Sequence, residues 1–300
     1  MRNAFLVLFL LGLLIKTCWG WIPESRLQTL QEIIASKPES TEAYNALFQQ
    51  AQYYEDNRQY DKAVQTYEKL LVSFPEKEYY QNSRKLILLY IDTGKFNRAI
   101  GVLLDLPHEY LYRDPYLLHQ LAFSYIALKQ FPEAENICNI LRNDFSRYEG
   151  LKYLLKDFTI IYYREKRYEQ ALRLAELYNS LKQDGEIKSV SSYDKVKFGF
   201  LSSSVWTEEY FYEVVAKTYF DLGKFDKAAE MYQHLLSKTC KKESECPKLF
   251  YNLALSYHKA GRFLQAKEKY EKILRETPQV YKIFHNLASM QLERLRKNEK

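Results

Sequence analysis

A chain of 300 residues with 44 Lys and Arg against 38 Asp and Glu carries a formal charge of +6, too slight an imbalance to point to a nucleic-acid partner. Only 9 Gly and 8 Pro are present, which disfavours glycine-rich phosphate loops, turn-dense β-sandwiches and disordered classes and predicts a mostly helical, all-α chain. The 27 Tyr and 17 Phe, which bring aromatics to 16%, need a repeated structural cause.

Residues 1–20 read as a signal peptide. Arg2 precedes an apolar run from Ala4 to Ile15, followed by Lys16 and Thr17-Cys18-Trp19-Gly20. That run matches a secretory h-region and is short for a membrane span. Small residues at Cys18 and Gly20 predict cleavage after Gly20 and an extracytoplasmic mature chain, in the periplasm or secretory pathway. An uncleaved anchor, or lipidation at Cys18, is the alternative route and would give membrane association; Lys16 fits a lipidation signal poorly. No later apolar run approaches the length of a membrane helix.

Residues 21–43 are expected to hold an N-terminal helix, with Leu27, Leu30, Ile33 and Ile34 at helical spacing. Beyond it one pattern recurs: Tyr, an aromatic six residues later, and Ala three after that. It runs through Tyr54-Tyr60-Ala63, Tyr90-Phe96-Ala99, Tyr125-Phe131-Ala134, Tyr162-Tyr168-Ala171, Tyr219-Phe225-Ala228 and Tyr257-Phe263-Ala266. The alanines lie 36, 35, 37, 57 and 38 residues apart, so the period is near 36 with one long gap, as in a solenoid. Apolar residues upstream of these Tyr at helical spacing, such as Ala254, Leu253 and Phe250 three, four and seven before Tyr257, make one face of a first helix. A turn follows, with Gly94, Gly223 or Gly261 suited to a left-handed C-cap. A second helix then carries Ala where the two helices cross. The pattern predicts four such repeats over 44–181 and two over 208–278, the latter pair interrupted at 239–247.

Residues 182–207 account for the long gap. They contain Asp184-Gly185, Phe198-Gly199-Phe200 and Ser202-Ser203-Ser204 and read as a long loop or a disordered linker dividing the array into blocks of four and two repeats. Residues 279–300 read as a capping helix, with Ile283, Leu287, Met290 and Leu295 on one face. Cys240 and Cys246 are candidates for a disulfide in an oxidising compartment, two free thiols being the alternative; a zinc site lacks further nearby ligands. Cys138 falls at an apolar helical position and reads as a small core residue.

These residues resemble the tetratricopeptide repeat. Phe250, Leu253-Ala254, Tyr257, Ala266, Tyr270 and Pro278 fit its pattern except for Ala in place of Gly, and Leu47, Ala51, Tyr54, Ala63, Tyr67 and Pro75 match nearly as well. In the middle repeats Leu103, Cys138 and Ala175 stand where an aromatic is usual. The resemblance covers about residues 44–278 and implies a right-handed superhelical solenoid of about six helical hairpins, flanked by N- and C-terminal helices. It implies function only as a class, since such arrays bind many unrelated partners.

The resemblance also implies where a partner binds. The concave-face positions would be Phe48, Gln52, Arg84, Leu88, His119, Phe123, Lys156, Ile160, Tyr163, Glu213, Lys217, Tyr251 and Leu255, followed by Lys282 and His285. They describe an apolar and aromatic groove with interspersed cations, fit for an extended or helical protein segment; several can instead touch the neighbouring repeat. The carboxylate clamp of chaperone-binding members is matched at Asn252 and Lys282 and missed at Glu213, Lys217 and Asn286.

Catalysis has little support: the five histidines form no His-x-x-x-His pair, and no nucleophile elbow or phosphate loop is present. A facing pair of His258 and His285 lacks an acidic or thiol companion. No catalytic residue, metal, cofactor or nucleic acid is expected. The reading is an exported, non-enzymatic adaptor or scaffold for an envelope or secretory-pathway complex; the alternative is an accessory or regulatory subunit of an envelope enzyme acting on cell wall or glycan.

Overall fold

A computed structural model describes residues 24–183, 206–240 and 245–298. The leader, nearly all of the 182–207 insertion and residues 241–244 lie outside the described residues. Within them the chain is all-α, with no strand. A leading helix α1 (Glu24–Ser36) precedes α2 (Thr41–Asp56) and α3 (Tyr60–Ser73), α4 (Tyr79–Asp92) and α5 (Phe96–Asp105), a short α6 (His108–Leu111), then α7 (Pro115–Ala127) and α8 (Phe131–Asp144). These are followed by α9 (Gly150–Arg164) and α10 (Tyr168–Gln183), α11 (Glu208–Asp221) and α12 (Phe225–Thr239), α13 (Pro247–Lys259) and α14 (Phe263–Glu276), and a final α15 (Lys282–Asn298). The helices pack in consecutive pairs, six hairpins in all among the described residues.

The six turns are one structure repeated. The amide five residues after each helix-ending tyrosine donates to that tyrosine's carbonyl: Gln59 to Tyr54, Lys95 to Tyr90, Gln130 to Tyr125, Arg167 to Tyr162, Lys224 to Tyr219 and Arg262 to Tyr257, all within 2.7–2.9 Å. The preceding amide donates one turn position later, as Gly94 does to Ile91 at 3.0 Å. This double bond pattern is the Schellman closure, and it needs one residue at positive φ. Gly94, Gly223 and Gly261 fill that place in three hairpins, and Arg58, Lys129 and Lys166 fill it in the others at φ 56–59°.

Packing follows the same register. Ala63, Ala99, Ala134, Ala171, Ala228 and Ala266 are completely buried at the helix crossings. One turn further on, Tyr67, Leu103, Cys138, Ala175, Tyr232 and Tyr270 are buried in turn, so the middle hairpins fill with small side chains a socket that the outer ones fill with a ring. Tyr90 donates to Glu68, and Tyr257 to Gln233 at 3.2 Å, which satisfies buried phenol hydroxyls across equivalent hairpin interfaces. Adjacent hairpins are also linked on the outside by repeated ion pairs, Lys95–Asp61 at 2.6 Å and Arg262–Asp226 at 2.8 Å, which being exposed contribute about 0–1 kcal/mol each.

The chain divides into two compact units, one through Ser146 and one from Arg147. Across the insertion the fourth hairpin packs directly on the fifth: Tyr178 meets Phe211 at 4.6 Å and the Tyr212 hydroxyl donates to Asn179 at 3.2 Å. The sequence did not announce α6. It forms because α5 stops at Asp105, and Pro107, at φ −50°, starts a new turn before Asp114 and Pro115 open α7.

Candidate functional site

In the unit ending at Ser146, the side chains available on the first helices α2, α4 and α7 include Phe48, Gln52, Arg84, Leu88 and Phe123, all half-buried. Their rings are held from behind: Phe48 lies edge-on to Tyr67 at 6.2 Å, and Phe123 edge-on to Phe96 at 6.0 Å. Arg84 is the most constrained of them. Its guanidinium sits over the Tyr80 ring at 5.5 Å and the Tyr116 ring at 5.1 Å, and its Nη1 is 3.7 Å from Asp114 Oδ2. Asp114 in turn accepts the Tyr80 hydroxyl at 2.6 Å and the Tyr116 amide at 2.9 Å as the N-cap of α7. Beside this cluster an open cavity of about 440 Å³ is lined by Tyr80, Glu109, Tyr110, Arg113 and Asp114. Burial, together with the Asp114 carboxylate, pushes the Tyr80 phenol up to about 12; burial does the same for Tyr116, with Arg84 opposing it. Both hydroxyls stay protonated at neutral pH, and that of Tyr80 donates to Asp114. Lys85 ties α4 to α2 through Glu55 at 3.3 Å.

In the unit from Arg147, the face is narrower than the sequence implied. Ile160 is completely buried, because α9 turns that side into the packing between helices, so it offers nothing to a partner. Lys156 is 9% exposed and its ammonium donates to the Trp206 carbonyl at 2.8 Å, where the chain re-enters ahead of α11. Tyr251, 8% exposed, belongs to the core with Tyr270 at 6.0 Å and Phe284 at 6.2 Å. In the first unit His119 is likewise lost, at 3% exposure. These four side chains are buried and so add nothing to the exposed face.

What remains there is Tyr163, Lys217, Leu255, Lys282 and the charges around Glu213. Burial and the Asp221 carboxylate raise the Tyr163 phenol to about 12. Glu213 is 2.7 Å from Lys217 and 2.6 Å from Lys248. Burial alone would raise its carboxyl, but the two lysines outweigh that and hold it below the usual carboxylate range. Lys217 is thus paired within the protein, and a carboxylate occupies a place where a peptide-carboxylate clamp needs a cation. Trp206 was overlooked in the sequence: its ring is stacked with Tyr210 at 4.7 Å and lies under the Arg164 guanidinium at 4.3 Å. Tyr80, Tyr110, Tyr116 and Asp114 were overlooked too, although Asp114-Pro115 is a legible helix start and Tyr80 stands one turn before Arg84.

His258 packs edge-on against Phe263 and Tyr270, and His285 Nε2 is 2.9 Å from the Thr277 carbonyl, so the two are engaged separately. Among the described residues no group of three or more His, Cys, Asp or Glu is placed to hold a metal ion, and no helix is long and apolar enough to cross a membrane. Cys240 and Cys246 are joined by a disulfide, their Cα atoms 6.2 Å apart, between α12 and α13.

Known proteins match this arrangement in part. Two tetratricopeptide-repeat family models match, over residues 45–77 and 216–281. Among solved structures, the complex described as Naa15/Naa10 bound to HypK-THB is similar at 16% identity and a TM-score of 0.56, covering 84% of this chain and 34% of that one. A tetratricopeptide repeat protein from Parabacteroides merdae is similar at 15% identity and a TM-score of 0.48, covering 85% of this chain and 92% of that one. No curated protein sequence matches the chain.

Proposed function

We propose that this tetratricopeptide-repeat protein is an exported, non-enzymatic adaptor that gathers other proteins into an envelope or secretory-pathway complex, holding extended or helical segments against its first helices. A repeat fold of this kind suggests a protein-binding scaffold. The observation that supports the reading most directly is that Phe48, Arg84, Leu88 and Phe123, on the first helices of three hairpins of the first unit, all stay partly exposed. Arg84 is fixed between Tyr80 and Tyr116 before any partner arrives. Exposed apolar anchors beside a preorganised guanidinium are what a protein segment with apolar side chains and a carboxylate would use, and preorganisation lowers the ordering cost of binding. Export is supported by the leader and by the Cys240–Cys246 bond, which persists in oxidising compartments.

The test is cross-linking and affinity capture from native membranes with the wild-type protein and with Phe123→Glu and Arg84→Ala. A partner captured at stoichiometric level should drop by about tenfold or more with either variant while helicity is unchanged. If every captured protein is retained by both variants, the first-helix face is not the binding surface.

A further inference from the structure

The extra turn after α5 builds a recess with polar groups that no neighbour satisfies. Pro107 starts α6 at φ −50°, Leu111 is buried, and His108 stacks on Tyr112 at 4.3 Å, so the turn is held by its own packing. Tyr110 is left 43% exposed, and its ring meets that of Tyr80, at the start of α4, at 5.1 Å with a tilt of 40°. These two rings, with Glu109, Arg113 and Asp114, line the open cavity of about 440 Å³, a size within the range of about 300–1,000 Å³ common for small-molecule sites. Tyr80 and Asp114 are already bonded to each other at 2.6 Å. Glu109 and Arg113 are exposed, and among the described residues neither side chain has a hydrogen bond or ion pair.

The lining selects a ligand by charge, shape and hydrogen bonding. The carboxylates of Glu109 and Asp114 are balanced by the guanidiniums of Arg113 and of Arg84, the latter 3.7 Å from Asp114, so neither an anion nor a cation gains from entering. Rings 5.1 Å apart already touch, and Arg84 lies over that of Tyr80, so a flat ring cannot be sandwiched and a ligand must lie against the wall instead. The free groups then demand both signs of hydrogen bond, because Glu109 only accepts and Arg113 only donates. A proline-rich segment offers carbonyls without N–H groups and would leave the carboxylate desolvated and unpaired. An ordinary peptide has donors and acceptors on its backbone, but its apolar surface sits on side chains that point away from them. A pyranose carries an apolar C–H face and a rim of hydroxyls that both donate and accept on one small ring. We propose that this recess is a binding site for a neutral carbohydrate, with Tyr110 and Tyr80 as the platform and Glu109 and Arg113 holding its hydroxyls by charge-assisted hydrogen bonds. The site does not rest on the protein-binding reading, since it needs none of Phe48, Leu88 or Phe123.

The test is saturation-transfer NMR and calorimetry on the full 300-residue protein with the neutral disaccharides cellobiose, maltose and di-N-acetylchitobiose. At least one should bind at a single site per chain, with an affinity unchanged by added salt, because the ligand carries no charge. Tyr110→Ala should weaken that binding about tenfold or more, Glu109→Gln should weaken it, and Tyr110→Phe, which keeps the ring, should retain it. Both positions are exposed, so the substitutions are compatible with folding. Phe123→Glu should leave sugar binding unchanged. The proposal is overturned if no disaccharide binds, if Tyr110→Ala binds as well as wild type, or if Phe123→Glu abolishes binding with helicity unchanged. It is equally overturned if a hexaproline peptide, tetramethylammonium or inorganic phosphate binds more tightly than every disaccharide and loses that binding in Tyr110→Ala.

Discussion

Four residues beyond each helix-ending tyrosine the backbone adopts positive φ, whether or not a glycine is there. At Gly94, Gly223 and Gly261 the residue type made the turn legible in the sequence; at Arg58, Lys129 and Lys166 it did not, because the requirement comes from the two hydrogen bonds that close the hairpin and not from the side chain. A side chain in this conformation costs about 1 kcal/mol, partly offset by the extra freedom glycine has when unfolded. Lys166→Gly is therefore expected to stabilise the protein by about 0.5 kcal/mol, and Gly94→Ala, whose Cβ would meet nothing within 4 Å, to destabilise it by about 1 kcal/mol. Urea unfolding of both variants checks the pair; a loss of stability in Lys166→Gly would mean the lysine is held by more than its backbone. Cys138 is a contrasting case, because its apolar position was readable and its chemistry follows from it. Burial pushes its thiol up to about 12, so alkylation at pH 8 should await unfolding.

Helices were legible wherever the tyrosine-to-alanine spacing held, since that spacing is the geometry of two crossing helices. The short α5, the extra turn of α6 and the ring cluster around Arg84 were not, because they lie at the link between α5 and α7, where the tyrosine-to-alanine spacing says nothing. The link between α12 and α13 is the element most open to a direct test. The Cys240–Cys246 bond closes a small loop and sits against the core that contains Tyr232, Phe250 and Tyr257. Constraining so short a loop in the unfolded chain contributes about 2 kcal/mol. Cys240→Ser with Cys246→Ser should lower stability by that order and increase hydrogen exchange at the ends of α12 and α13, while exchange in α2, α4 and α7 stays as in wild type. Unchanged exchange at the α12–α13 link would show that packing alone holds it.

For the molecule as a whole, the number of hairpins could be read from the sequence, but their grouping could not. The polar, serine-rich insertion looks like a boundary, yet the contacts of Tyr178 and Tyr212 with their neighbours carry the core past it, and the division falls at Ser146 and Arg147. The same limit applies to the binding face: helical spacing identified which residues share a side of a helix, and only packing distinguished Phe48, Arg84 and Phe123 from the buried His119 and Ile160. The two units also differ in chemistry, since the first holds the fixed guanidinium and the open cavity while the second has Lys217 and Lys248 paired with Glu213. The measurement that reaches the central claim most directly is a hydrogen-exchange and cross-linking footprint of the protein bound to the partner captured from native membranes. The account predicts protection and cross-links on α2, α4 and α7 around Phe48, Arg84, Leu88 and Phe123. A footprint confined to the second helices α3, α5 and α8 would contradict it.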